Sequence, residues 1–175
     1  MWGELKAYNA VDSGKKSPWI EVIRISPDNK YVAFGTHEGR SHLEIGQVNK
    51  TAQIGKRLTL FSSNDLALSS ALTHLDWSQD STKVQLNSQA YELMFVSANV
   101  KNNKKQDTAS SSKTIEWATY SILHGWATQG IWPGVDYTDV NTADRSHDGQ
   151  ILATGDDFGR VKLFKFPCVE KKAQF

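Results

Sequence analysis

The chain has 175 residues, 20 Lys and Arg against 19 Asp and Glu, and a formal net charge of +1 at pH 7. That length fits one domain with a sizeable core. Charges of both signs are spread along the chain, which argues against nucleic acid as a partner. Mean hydropathy is negative, and no apolar stretch approaches the ~20 residues of a membrane span, so no membrane partner is expected.

Met1 is followed at once by Trp2, Gly3 and Glu4, so no signal peptide is expected. Trp2 to Asn9 reads as a strand left over from a preceding unit. Pro18 argues against a helix running through the loop that follows. Ile20 to Ile25 is apolar on both faces, the pattern of a buried inner strand. Tyr31 to Gly35 and Ser41 to Val48 make a hairpin, and Arg57 to Ser62 alternates as an outer strand. Leu72 to Trp77 opens a second unit. Asn99 to Lys113 is rich in Asn, Lys and Ser with no apolar periodicity, so a mobile loop is expected there. Thr114 to Leu123 and Trp126 to Pro133 read as further strands. The expected class is all-β.

One phrase occurs three times. Ser26-Pro27-Asp28-Asn29, Ser78-Gln79-Asp80-Ser81 and Ser146-His147-Asp148-Gly149 are polar turns, each followed by an apolar run, a second turn and another strand. Gly and Asp at the bends are hairpin chemistry. The last copy is the clearest: Ile151 to Thr154, the turn Asp156-Asp157-Phe158-Gly159, then Val161 to Phe166. There Val161 and Leu163 share one face, and Phe164 and Phe166 the other. At least one of Gly155 and Gly159 is expected at positive φ. Repetition of one supersecondary unit marks a repeat architecture. The copies lie 52 and 68 residues apart, longer than the about 40–45 residues of a WD40 blade.

The phrases THLDWSQDS (73–81), GIWPGVDYTDVN (130–141) and ATGDDFGRVKLFKFPC (153–168) resemble the late blades of the echinoderm microtubule-associated protein-like family. The likeness runs from about Ile20 to Phe175 and is strongest at its end. It implies a partial β-propeller of about three atypical WD40-like blades. The strand of a preceding blade would occupy 1–10, with blades at 18–63, 70–133 (irregular, carrying the mobile loop 99–113) and 134–175. The Gly-His opening and Trp-Asp closing dipeptides of ordinary repeats are missing, and Phe164 stands near the Trp position. Apolar packing is therefore expected in place of the usual polar network. Three blades do not close a ring, so a fragment, a truncated product or completion by another polypeptide is expected.

Candidate sites are few. Asp157-Phe158-Gly159 spells the magnesium-binding DFG of kinases, but the glycine-rich loop, strand lysine and HRD loop are missing, which leaves a turn. No two of His37, His42, His74, His124 and His147 have helical metal spacing. The aspartates from Asp136 to Asp157 suit turn chemistry better than a calcium loop. The single cysteine, Cys168, excludes an internal disulfide and a cysteine-based zinc site and fits a reducing compartment. No G-x-S-x-G elbow offers a nucleophile. No catalytic residue, metal or cofactor is expected. Trp19, Trp77, Trp117, Trp126 and Trp132 are packing residues, of which Trp132 is the one expected to be partly exposed. Trp132 and the cluster Lys101, Lys104 and Lys105 are the partner-binding candidates. The resemblance implies a non-enzymatic structural protein of the cytoplasmic cytoskeleton, cilium or axoneme that binds tubulin or a microtubule-bound protein. The alternative is a WD40-type scaffold in a complex unrelated to microtubules.

Overall fold

The computed structural model describes residues 19–37, 42–53, 57–65, 68–98, 106–107, 114–132, 139–171 and 173–175. Strands β1 (Trp19–Ile25), β2 (Tyr31–His37), β3 (His42–Val48) and β4 (Leu58–Asp65) form a first sheet in chain order. A second sheet holds β5 (Leu72–Trp77), β6 (Lys83–Ser88), β7 (Leu93–Ser97) and β8 (Gln106–Asp107), and a third holds β9 (Val140–Arg145), β10 (Ile151–Asp156) and β11 (Val161–Lys165). Every pairing is antiparallel between neighbours in sequence. Small up-and-down sheets in series are the blades of a β-propeller, and the chain is a nearly all-β part of one.

The three repeated turns share one geometry. Ser26, Ser78 and Ser146 donate Oγ–H to Oδ1 of Asp28, Asp80 and Asp148 at 2.6, 2.6 and 2.5 Å. The same carboxylates accept the N–H of Lys30, Thr82 and Gln150 at 3.0, 3.0 and 3.1 Å. The fourth residue of each turn, Asn29, Ser81 or Gly149, has φ of 59°, 60° or 70°. Accepting these bonds holds the Asp80 and Asp148 carboxyls below the usual range. The β10–β11 hairpin turns through Gly159, also at φ 70°; Gly155 lies in β10 and is not at positive φ. Asp156 accepts the N–H of Phe158 and Arg160 at 3.1 and 3.0 Å and pairs with Lys162 at 3.2 Å. Burial pushes its carboxyl up, and these partners more than offset that, so it sits below the ordinary value.

The first two sheets pack through one core that includes Val22, Ile45, Leu72, Leu75, Trp77 and Val96. The Trp77 indole N–H donates to the Arg24 carbonyl at 3.2 Å and locks the sheets together. A second core joins Val140, Ala143, Leu152 and Phe164 of the third sheet to Leu123, Ile131 and Cys168.

Between the second and third sheets the sequence reading fails. Residues 114–125 hold no strand, only a single bridge from Trp117 to Ser78, and Trp126–Ile131 is a 3-10 helix. Side chains of the second sheet have captured the backbone that a ladder would use. Asp76, fully buried, accepts the Thr119 hydroxyl at 2.6 Å, the Ser121 N–H at 2.8 Å and the Ile122 N–H at 3.1 Å, with Gln85 Nε2 at 3.3 Å. Asn87 Oδ1 accepts the N–H of Leu123 and His124 at 2.7 and 2.9 Å. This qualifies a second expectation: the second sheet meets the first through apolar packing, as expected, but meets the connector through a polar network.

Two further readings change. Within the expected loop 99–113, Gln106–Asp107 pair with Val96 and Phe95 as β8, because the β7 edge offers free backbone groups; the rest of that loop lies outside the described residues, as does Trp2 to Asn9. β1 is not buried on both faces. From Ile20 to Ile25 only Val22 is buried, beside a register shift between Ile20 and Val22, and Ile23 and Ile25 are 54% and 62% exposed. The third sheet is open in the same way, with Val161 77% and Leu163 57% exposed on one face while Lys162 and Phe164 are buried on the other.

Gly159→Val should destabilise the protein by on the order of 1–3 kcal/mol through backbone strain alone, since nothing lies within 4 Å of a Cβ placed there; thermal melts report it. Asp76→Ala should cost about 3 kcal/mol or more, because several buried donors lose their acceptor at once. Urea unfolding gives that number. Hydrogen exchange should speed up first at the Ser121 and Ile122 amides.

Candidate functional site

The connector pinned by Asp76 and Asn87 forms one wall of a cleft of about 640 Å³. Strands β6 and β7 form another wall and the chain after β11 a third. Its walls are aromatic. Phe95 stacks on Trp117 with centroids 6.0 Å apart, and Tyr120 meets Phe166 edge-on at 4.9 Å. Trp126 also lines the cleft, yet is 56% exposed. The short helix bearing it is tied down by two backbone bonds, from Cys168 N–H to the Ala127 carbonyl and from Gly130 N–H to the Cys168 carbonyl, both 2.8 Å.

Arg145, at the end of β9, supplies the positive charge. Its Nη2 donates to the carbonyls of Trp117 and Ala118 at 2.7 and 3.3 Å, and its guanidinium lies 5.3 Å from the Phe166 ring centre. Its Nε is buried without an acceptor, and among the described residues no carboxylate pairs with it. Burial pushes the Tyr120 phenol up to about 12, with Asp76 adding to the rise and Ala127 and Arg145 opposing it. The hydroxyl is therefore a neutral donor at physiological pH. The cleft can hold an apolar group beside an acceptor. Among the described residues its lining holds no Ser, Thr, Cys, His or Lys, the residue types that supply most nucleophile and base pairs.

The sites expected from sequence are scattered. Trp132 is half-buried, donates its indole N–H to the Leu123 carbonyl at 3.1 Å and stacks on His124 at 4.6 Å. Lys101, Lys104 and Lys105 lie outside the described residues. Among the tryptophans whose burial is described, Trp126 is the exposed one, and no feature of its neighbourhood in sequence marks it. Trp77 and Trp117 are buried. His74 spans the second and third sheets, with Nδ1 2.9 Å from the Thr73 hydroxyl and Nε2 3.2 Å from the Asn141 carbonyl. Those bonds fit a proton on Nε2. Burial lowers the pKa of both His74 and His124. Among the described residues no three His, Cys, Asp or Glu converge on a metal-sized point. Asp157 of the DFG sequence accepts a hydrogen bond from Asn141 at 2.6 Å. Burial raises the pKa of the Cys168 thiol.

Comparison with known proteins agrees with this architecture. A solved structure of a candidate 6-phosphogluconolactonase from Bacteroides fragilis superposes with a TM-score of 0.55 at 15% identity, covering 93% of this chain and 55% of that one; at that identity the likeness is one of fold alone. The family described as the echinoderm microtubule-associated protein second beta-propeller matches residues 4–175. The 77 kDa echinoderm microtubule-associated protein of Lytechinus variegatus is 42% identical over 87% of this chain. Echinoderm microtubule-associated protein-like 2 of Rattus norvegicus is 39% identical and protein-like 3 of Homo sapiens 36%, each over 88% of it. The chain spans 22%, 23% and 16% of the lengths of these relatives. It belongs to the echinoderm microtubule-associated protein family, within the second β-propeller.

Proposed function

We propose that this chain is a non-enzymatic structural module of a microtubule-associated protein, and that its propeller surface contacts tubulin or a microtubule-bound partner. The observation that carries the reading is the identity to microtubule-associated proteins over most of the chain. The chemistry of the cleft supports a binding role over a catalytic one. Its place of work would be the microtubule cytoskeleton of the cytoplasm, cilium or axoneme.

The open faces support a further partner. Ile23 and Ile25 at one end, and Val161 and Leu163 at the other, are the apolar surfaces that adjoining blades cover in a closed ring. More propeller, supplied by another polypeptide or by further chain, would bury them. Leaving them in water forfeits about 25 cal/mol per Å².

Co-sedimentation with stabilised microtubules tests the first part. The chain joined to the remaining blades should pellet with microtubules in a saturable way. Retention in the supernatant would favour a scaffold unconnected with microtubules. For the second part, Leu163→Lys should leave the melting of the isolated chain within about 0.5 kcal/mol of the parent, as exposed positions do, and should abolish association with the remaining blades in light scattering.

A further inference from the structure

We propose that the cleft between the second and third sheets binds a partner's peptide segment in which a large aromatic side chain stands next to a single carboxylate. Size comes first. About 640 Å³ lies inside the range of roughly 300–1,000 Å³ typical of ligand sites, room for one or two side chains and not for a folded domain. The walls are already assembled, since Phe95 packs on Trp117 and Tyr120 on Phe166, so little ordering is spent on binding. Trp126, more than half exposed on the cleft, is the type of residue that carries binding energy at interfaces.

Charge selects the second group. Among the described residues, two carbonyls and a ring are the partners of the Arg145 guanidinium, and its Nε–H has no acceptor. A buried donor left unpaired is costly, and a carboxylate is the acceptor that a guanidinium fits best. Glu116 lines the same cleft, so a run of acidic residues meets repulsion and one carboxylate beside the aromatic ring is favoured. The inference goes beyond the microtubule reading and does not require tubulin to be the partner.

The test uses the full chain and an N-acetylated, C-amidated peptide of sequence GFEGS, followed by calorimetry. Saturable binding with a dissociation constant below about 1 mM is expected. Replacing the peptide's Phe by Ser, or its Glu by Gln, should each weaken it about fivefold or more. Trp126→Ala should weaken it about tenfold with unchanged melting, because that ring is exposed. Arg145→Lys keeps the charge but loses the planar fork, and should narrow the preference for the Glu peptide over the Gln peptide. Absence of saturable binding, equal binding by Trp126→Ala, or equal affinity of the Glu and Gln peptides for the unaltered chain would each overturn the proposal. Should Arg145→Lys fail to fold, the peptide replacements and Trp126→Ala decide it alone.

Discussion

A single buried carboxylate organises the connector between the second and third sheets. Asp76 sits on β5, the first strand of the second sheet, with no exposure to solvent. It is tolerable there only because the chain wraps around it with hydroxyl and backbone donors. The wrapping fixes residues 119–122, and Asn87, one strand away, fixes 123 and 124 by the same chemistry. Backbone donors used in this way cannot pair into a ladder. The segment that a simple repeat would spend on strands becomes a folded connector, and that connector forms one wall of the aromatic cleft.

The rest of the molecule is repetition. Three turns use the same serine, the same aspartate and the same positive-φ position, and they set up three antiparallel sheets. The turns also touch: Asp28 N–H donates to the Ser81 hydroxyl at 3.1 Å, linking the first sheet to the second. Such an arc has a buried seam at each internal junction and an open apolar face at each end. Val22 and Ile23 show the contrast within two residues, one packed on Leu72 and its neighbours, the other in solvent.

Function follows from the same division. The exposed apolar residues at the ends, Ile23 and Ile25, Val161 and Leu163, are the surfaces proposed to meet further propeller. The internal seam between the second and third sheets, complete within this chain, is where recognition chemistry can accumulate. Arg145 belongs to β9 by sequence but spends its donors on the connector, so the seam is held by a cation whose charge is unmatched within the described residues.

How much could be read without coordinates depended on the range of the forces involved. The repeated turns, the β10–β11 hairpin, a positive φ at Gly155 or Gly159, the facing of Val161 and Leu163 away from Phe164, and the family itself were legible in the sequence, because turn chemistry and alternation act between residues close along the chain. The 3-10 helix at Trp126–Ile131, the loss of strand in 114–125, the short strand β8 and the cleft were not. Trp126 and Trp132 look alike in sequence; Trp132, expected to be partly exposed, lies half-buried against His124, and nothing in the sequence singled out the more exposed Trp126. The loss of strand in 114–125 depends on Asp76 and Asn87 meeting backbone more than thirty residues away. The sequence determined the repeating unit and its hairpins through local bonds. Only the tertiary structure decided which face of each strand was covered and where the polar groups of the second sheet found their partners, because those outcomes are set by burial among segments distant in the chain.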